Sequence, residues 1–553
     1  TTLTLIGGVC FVVISGSALY GQVVVTSDIV TGKQQHQQQN QHQRRLLLLA
    51  MEAIGVWFPL VLTQTNFLYP WGVIVMMLQT GVAYFLRRRQ PPRPPAGPDQ
   101  RQRQHNHQQR KPKRLQLDYL TLYRSSIMYL TYVAILAVDF HVFPRRFCKT
   151  ETDGYGLMDV GAASFCISAG FVSHQSRQRI SSRSSRRQED RSDKKTSLFK
   201  PLLHTLPLIL IGLIRILANQ ELDYQEHVSE YGVHWNFFFT MGVLALVPPL
   251  VSSPILSSSR KTTTQSQPRS QSRPTLTVPI FLMSFYQWSL NESGGDWQYF
   301  IENAPRRCFN DVVESESNND NNFLSLQQWN DDSDGNSFKQ LVMGLPPMFC
   351  NFVTANREGI LGCFGYLSLY FAGEWIGYHW IWNPSIVETI DEQHHQQHHK
   401  RKKKNRKKQQ QDHGLGQVAL FLWIIHLVLV HGFGIPVSRR STNISFCTWA
   451  LAHNVLLLYL LQQLTLWSKI NDSPTPSSCS QVPVVFGKVN SYGLIMFLVA
   501  NLLTGLVNLT VPTLEVSDVN ALFIVYGYIC AVGIAAFLLD WGFTATETMR
   551  RRL

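Results

Sequence analysis

Apolar residues along this chain come in hydrocarbon-length runs separated by polar tracts. A bilayer-spanning helix needs about 20 mostly apolar residues. Such runs lie at about 3–25, 46–63, 69–86, 120–140, 155–173, 202–218, 235–253, 275–290, 358–373, 416–434, 443–466, 490–511 and 520–542. They predict an all-α fold, a polytopic integral membrane helical bundle with about 13 transmembrane helices. Low-complexity loops intervene near 27–45, 87–118, 174–199, 257–274 and 388–412, with a further insertion near 308–353. Apart from these loops, 1–553 reads as a single multi-pass domain. The first run is too long for a cleaved signal peptide, and no basic segment precedes it. The chain opens at Thr1 directly on that run, which reads as an N-terminally incomplete copy.

Composition sharpens this picture. Charged residues make up 16% of the 553 residues, well below the roughly 25% of an average soluble domain. That excludes a mainly disordered chain and argues against an ordinary soluble enzyme. The mean hydropathy of −0.06 averages apolar runs with polar tracts rich in Gln, Ser, Arg and Lys. The net charge of +14 is concentrated in loops. Lys and Arg excess marks the cytoplasmic side. Basic loops at Arg44-Arg45, Arg87 to Arg89, Arg183 to Arg191, Arg260-Lys261 and Lys400 to Lys408 alternate with acidic or neutral ones at 218–234, 291–357 and 512–519. The alternation predicts a luminal N-terminus and a cytosolic C-terminus. Two luminal loops break it: 141–154 carries Arg145, Arg146 and Lys149, and 435–442 carries Arg439 and Arg440. Cations kept against the bias point to an anionic ligand. The Lys400 to Lys408 run suits anionic lipid, and no nucleic-acid partner is expected. The His394-His395 and His398-His399 pairs read as a solvated insertion, so no metal site is expected. Nine cysteines form no CxxC pair. Cys308 and Cys350 share the luminal loop, where a disulfide is permitted.

Ionisable groups at or inside spans are costly and usually face a partner or a cavity. Asp139 ends the fourth run, Lys149 follows in the loop, and Asp159 enters the next run. The short connection brings both carboxylates and the loop cations into one small volume. A carboxylate beside a hydroxyl serves as a general base, and Lys or Arg binds phosphate or steadies an oxyanion. The same residues also suit helix-end ion pairs that position the loop. A second polar set comprises Arg215, Asp223, Glu226, His227, Glu230, His234, Trp235 and Asn236. It fits a luminal wall that hydrogen-bonds a polyol, or interfacial anchoring by its aromatic residues. A Gly-rich phosphate loop, a G-x-S-x-G elbow and H-E-x-x-H are all missing. His426, His431 and His453 sit in apolar runs, as a catalytic embedded histidine would, or as one satisfied between helices.

The run Ala137-Val138-Asp139-Phe140-His141-Val142-Phe143-Pro144-Arg145-Arg146-Phe147-Cys148-Lys149-Thr150-Glu151, continuing through Gly156-Leu157-Met158-Asp159-Val160-Gly161, resembles a known signature. It is that of the inositol acyltransferases of GPI-anchor biosynthesis, the glucosaminyl-phosphatidylinositol acyltransferases (PIG-W in animals). Further matches are Tyr123-Arg124-Ser125-Ser126, Asp223 to His227, Tyr231 to Phe238, Ala304-Pro305-Arg306, Asn356 to Ile360, Ser438-Arg439-Arg440 and Asn501 to Asn508. The resemblance implies an endoplasmic-reticulum membrane enzyme. It would transfer a fatty acyl group, typically palmitoyl, from palmitoyl-CoA to an inositol hydroxyl of glucosaminyl-phosphatidylinositol. Acyl-CoA is then a co-substrate, membrane lipid a partner, and no cofactor is needed. The family's catalytic residues carry over to Asp139, as base, and Lys149, as stabiliser of oxyanion or phosphate. Burial would raise the Asp139 pKa and Lys149 would lower it. Arg124, His141, Arg145, Arg146, Asp159, Asp223, Glu226, His227, His234, Asn236, Arg357 and Glu358 are the expected substrate-binding residues. The competing functional class is a multi-pass transporter of an amphipathic anion or lipid.

The charge pattern makes 291–357 luminal and 374–415 cytosolic. The sequon at Asn471-Asp472-Ser473 falls in a cytosolic loop and is expected to carry no glycan. Mass-spectrometric mapping that finds a glycan on Asn471 reverses this orientation.

Overall fold

The computed structural model describes residues 46–50, 52–68, 117–177, 199–221, 229–251, 274–291, 297–303, 306, 345–382, 414–471 and 482–550, with isolated positions 74, 77, 78 and 342. Among these the chain is helical and contains no strand, as an all-α membrane bundle requires. In chain order the helices are α1 (Leu46–Thr63), α2 (Asp118–Ala137), α3 (Asp159–Phe171), α4 (Phe199–Glu221), α5 (Phe237–Val251), α6 (Thr277–Leu290) and α7 (Trp297–Asn303). There follow α8 (Pro347–Ala355), α9 (Arg357–Ile376), α10 (Gly414–Leu427), α11 (Ile444–Asn471), α12 (Val484–Ser491), α13 (Gly493–Thr510) and α14 (Asp518–Arg550).

Six helical segments are long and apolar enough to cross a bilayer: Leu46–Thr63, Asp118–Ala137, Gly414–Gly432, Ile444–Leu466, Gly493–Thr510 and Asp518–Gly542. The protein is therefore a multi-pass membrane protein. The count of thirteen full spans is not reached among the described residues. Two apolar runs, 3–25 and 69–86, fall wholly or almost wholly outside them. Five others form helices of a different character. α3 has 13 residues, about 20 Å of helix against a hydrocarbon thickness of about 30 Å. α5 and α6 are also short, with 15 and 14 residues, and α4, which carries Pro207 within it, is apolar only over Thr205–Leu217. α9 has 20 residues but carries Arg357, Glu358 and Glu374, all buried in protein.

The described residues divide into two compact units, one within Thr1–Cys148 and Leu456–Leu553, the other within Lys149–Val455. In the first unit α2, α12, α13 and α14 pack together with α1. A column of rings fills its centre: Tyr129 stacks on Phe486 at 4.7 Å and on Trp57 at 6.2 Å. Glu52 within α1 is fully buried, and its carboxylate accepts the backbone N–H groups of Val485 and Phe486 at 3.1 and 3.0 Å. It thereby satisfies donors left over at the start of α12, which lacks a side-chain cap of its own. Ser125 Oγ donates to the Phe486 carbonyl at 2.6 Å, tying α2 to the same helix. On α13 the exposed Leu502, Leu506 and Leu509 form one stripe, a lipid-facing surface by their spacing.

In the second unit α9 is central. It packs on α3 most extensively and also on α5 and α6, while α4 packs on α5. The α3–α9 contact is backbone on backbone. A Cβ at Gly170 would strike the Tyr370 carbonyl, and one at Gly373 would lie 2.6 Å from the Ile167 carbonyl. Small residues permit this approach where hydrocarbon offers no hydrophobic drive between helices.

Gly170→Ala is therefore expected to abolish or sharply reduce folded protein. Gly161→Ala, on the same helix with open space at the new Cβ, is expected to be neutral or to stabilise by about 0.5–1 kcal/mol through helix propensity. Yield and melting temperature in detergent compare the two; equal behaviour would refute the close-packed interface.

Candidate active site

In the first unit the signature loop leaves α2 through a tight turn. The Asp139 N–H donates to the Leu136 carbonyl and the Phe140 N–H to the Ala137 carbonyl, at 3.2 and 3.0 Å. Pro144 then opens a single 3-10 turn, Arg145–Phe147, its carbonyl accepting the Phe147 N–H at 2.8 Å. Phe140, Val142 and Phe143 are fully buried and anchor the loop. The Asn66 N–H donates to the Val142 carbonyl at 2.9 Å, and Asn66 Nδ2 to that of His141 at 3.2 Å. The loop is thus fixed from below while His141, Arg145 and Arg146 stay exposed. Arg146 lies 5.2 Å from the Phe147 ring centre, and Arg145 donates to the Val138 carbonyl at 3.3 Å.

Asp139 is half-buried. Its Oδ2 accepts a hydrogen bond from Asn508 Nδ2 on α13 at 2.8 Å, and Oδ1 accepts none among the described residues. Burial raises its pKa above the ordinary aspartate range, while the Asn508 hydrogen bond and the Arg145 charge pull it back. The net direction is upward, and the opposing charge is Arg145, where the sequence pointed to Lys149. Arg124 lies near the opposite end of α2, about 20 Å of helix from the Asp139 end. It is not brought to Asp139.

In the second unit the loop after Lys149 is organised by Asp159, in the first turn of α3 and 1% exposed. Its carboxylate accepts the Thr150 N–H at 3.2 Å, the Thr150 hydroxyl at 3.0 Å and the Gly156 N–H at 2.9 Å. Arg439 Nε lies 2.9 Å from Asp159 Oδ1, an ion pair by distance whose N–H is not aligned as a hydrogen bond. Arg439 also reaches Glu230 at 3.8 Å, and Glu230 holds Lys149 at 2.5 Å. Burial opposes the Arg439 charge, but Glu230 and the other groups around it outweigh this and make the guanidinium more basic than usual. The two basic loops flagged by charge pattern are also bonded directly. The Gly154 N–H donates to the Val437 carbonyl at 2.8 Å, and Ser438 Oγ to that of Thr152 at 3.3 Å.

The 435–442 loop is held by Asn443, whose Oδ1 accepts the N–H groups of Ser438 and Phe446 at 3.3 and 3.0 Å, capping α11. Thr442 adopts φ 51°, costly for a β-branched residue. This turn sends adjacent arginines to different partners. Arg440 reaches Glu358 at 3.1 Å; Arg306 makes a two-pronged contact with the same carboxylate at 2.7 and 3.1 Å; Arg357 Nε lies 3.7 Å away. The Glu358 side chain is fully buried.

Of the second polar set, Asp223, Glu226 and His227 lie outside the described residues. His234 is exposed, and its backbone N–H donates to Asn356 Oδ1 at 2.7 Å. Asn236 is buried and caps α5 through the Phe238 N–H at 3.0 Å, with Nδ2 donating to the Gly212 carbonyl. Near Lys149 in sequence, Tyr155 bonds His426 Nε2 at 3.0 Å, and His426 Nδ1 lies 3.1 Å from the Ser445 carbonyl. A carbonyl only accepts, so Nδ1 carries the proton and the Tyr155 hydroxyl donates to Nε2. In the sequence His426 is an isolated candidate; its tyrosine partner, 271 residues distant, leaves no local signal. The same holds for Asn508 against Asp139. Among the described residues no group of three or more His, Cys, Asp or Glu has metal-binding geometry.

The fold and these loops define a multi-pass α-helical membrane protein with buried charge clusters at its helix ends. The chain belongs to the GWT1 family, whose model matches residues 2–316 and 335–539. It is similar to GPI-anchored wall transfer protein 1 of Aspergillus oryzae, with 30% identity over 86% of this chain and 82% of that protein. The namesakes of Gibberella zeae and Saccharomyces cerevisiae are 32% and 29% identical, covering 76% and 77% of this chain and 72% and 75% of theirs.

Asp159→Asn leaves Arg439 buried without full compensation, which commonly costs about 3–5 kcal/mol. The expected outcome is a lowered melting temperature and reduced abundance; an unchanged melting temperature would overturn the organising role given to Asp159.

Proposed function

We propose that this chain is an acyl-CoA-dependent O-acyltransferase that moves a fatty acyl group, palmitoyl by the family resemblance, to an inositol hydroxyl of glucosaminyl-phosphatidylinositol. Membership of the GWT1 family connects the chain with GPI-anchor biosynthesis. The observation that carries the chemistry is the state of Asp139: half-buried, raised in pKa, with one oxygen held by Asn508 and the other open to a proton. A general base works best when its pKa approaches the working pH. In the proposed step the inositol hydroxyl gives its proton to Asp139 Oδ1 and its oxygen attacks the thioester carbonyl. The tetrahedral oxyanion is steadied by the Lys149 ammonium, the C–S bond breaks, and CoA leaves as a thiolate that takes up a proton. Lys149 is two-fifths exposed, with its ammonium paired to Glu230. Arg145, Arg146 and His141 are exposed around the same loop and suit contacts to the anionic headgroup.

The reading includes an endoplasmic-reticulum location with this loop luminal. Cys350 is disulfide-bonded, while Cys148, Cys166, Cys363, Cys447 and Cys530 are thiols and Cys308 lies outside the described residues. A disulfide at Cys350 supports an oxidising compartment for α8.

Purified protein given labelled palmitoyl-CoA and glucosaminyl-phosphatidylinositol is expected to release an acylated lipid; no product under any detergent or nanodisc condition favours the transporter class. Asp139→Asn and Lys149→Ala are each expected to lower turnover by roughly 10²-fold or more at normal abundance. Full activity in Asp139→Asn removes the base role.

Asn508→Ala deletes a hydrogen bond that lowers the Asp139 pKa. The acid limb of the rate profile, already above the ordinary aspartate range, is therefore expected to move to higher pH. An unmoved limb would detach Asn508 from the base.

A further inference from the structure

Between Lys149 and Asp159 the chain carries an aromatic residue that the proposed reaction does not use. The backbone around Tyr155 is pinned on both sides. The Gly154 N–H donates to the Val437 carbonyl at 2.8 Å, and the Gly156 N–H to Asp159 Oδ2 at 2.9 Å. Gly154 takes φ 137°, a conformation that suits glycine and few other residues. The Tyr155 side chain is fixed as well. Its hydroxyl donates to His426 Nε2 at 3.0 Å, and the Ser445 carbonyl holds the imidazole at Nδ1. Burial raises the Tyr155 pKa, so the phenol keeps the proton of that bond. Trp449, fully buried, packs against the ring at 5.1 Å between centres and 78° between planes. Tyr155 is nevertheless 43% exposed, whereas His426 is 2% exposed.

This arrangement is the reverse of an interfacial anchor. A tyrosine of that kind keeps its ring in the apolar zone and its hydroxyl outward, toward water. Here the hydroxyl is turned to an enclosed histidine, and the ring supplies the exposed surface. A phenol donates close to the plane of its ring, so His426 sits at the hydroxyl tip, its own plane 85° away. Trp449, near-perpendicular to the ring, covers one face at most. Among the described residues no third ring packs on Tyr155. The face of an aromatic ring is electron-rich and attracts C–H groups polarised by neighbouring oxygens. A saturated polyhydroxylated ring offers such C–H groups on one side and hydroxyls around its rim. An acyl chain, whose C–H groups are not polarised, gains less. Glu151 and Asp153, both exposed in the same loop, are acceptors for rim hydroxyls.

We propose that the open face of Tyr155, locked by His426 and Trp449, is a stacking platform for a saturated polyhydroxylated ring in the headgroup of the acceptor lipid. The inference rests on the reading of that acceptor as glucosaminyl-phosphatidylinositol. That lipid carries two rings of this chemistry, the inositol and the glucosamine. Tyr155 is then a substrate-positioning residue, separate from the base and the cation assigned to the reaction.

The test uses full-length protein in nanodiscs of phosphatidylcholine, with binding of phosphatidylinositol and of glucosaminyl-phosphatidylinositol read by native mass spectrometry. Tyr155→Leu keeps apolar bulk but removes the aromatic face, and is expected to weaken binding roughly 3- to 10-fold. Tyr155→Phe keeps the face and loses only the lock, so its loss is expected to be smaller. Weakening of both lipids assigns the inositol ring; weakening of glucosaminyl-phosphatidylinositol alone assigns the glucosamine. Unchanged affinity of Tyr155→Leu for both lipids overturns the platform. A loss in Tyr155→Phe as large as in Tyr155→Leu overturns it too, since the hydroxyl would then be the contact. Nitration of the wild-type protein by tetranitromethane needs no variant: protection of Tyr155 by either lipid supports the platform, and equal nitration with and without saturating lipid overturns it. Lipid bound through Tyr155 with no acylated product would refute the proposed reaction and leave the platform standing. Acyl transfer with an unchanged KM for the acceptor in Tyr155→Leu would refute the platform and leave the reaction standing.

Discussion

The second unit depends on one buried carboxylate. Asp159 has no solvent to stabilise its charge, so the loop supplies what water would: two backbone N–H groups, a hydroxyl and a guanidinium. Removing an ion from water costs several kcal/mol, recovered only when its lone pairs are filled with good geometry. That requirement dictates the path of residues 150–156 and draws in the loop bearing Arg439. Lys149 is then held at the edge of the arrangement through Glu230. Asp159, expected among the substrate-binding residues, thus shapes the loop, while Lys149 is the more exposed of the two.

The turn at 438–442 distributes charge. Thr442 takes a backbone conformation that its branched side chain disfavours. In return, consecutive arginines point to separate acidic centres. The Arg439 centre joins Asp159, Glu230 and Lys149, whereas the Arg440 centre gathers Arg306, Arg357 and Arg440 on Glu358 among the described residues. Strained backbone at such a place is maintained by the bonds around it: Asn443 capping α11, Tyr286 donating to the Ser441 carbonyl at 2.6 Å, and Gln287 accepting the Ile444 N–H.

The first unit has a buried carboxylate of its own. Glu52 lies in an apolar helix and has no cation against it among the described residues; its partners there are the N–H groups that open α12, where the helix dipole favours negative charge. The same α12 receives Ser125 and the ring of Tyr129 from α2. These contacts hold α2, at whose end Asp139 meets the amide of Asn508.

Hydropathy along the chain determined the all-α membrane class, because a bilayer demands that every spanning segment satisfy its backbone internally and present apolar surface. Local charge identified the two loops that the structure binds together, and the motif from Ala137 to Gly161 singled out Asp139 and Lys149. Segment hydropathy could not separate full spans from short buried helices such as α3, since an apolar residue facing protein and one facing lipid read alike. Nor could it show that Asn508 bonds Asp139, that Asp159 is enclosed while Lys149 is exposed, or that Arg440 shares Glu358 with Arg306. The Asn508 and Glu358 contacts join side chains 52 to 369 residues apart in sequence, whose meeting is decided by helix packing and the requirement to pair buried charge.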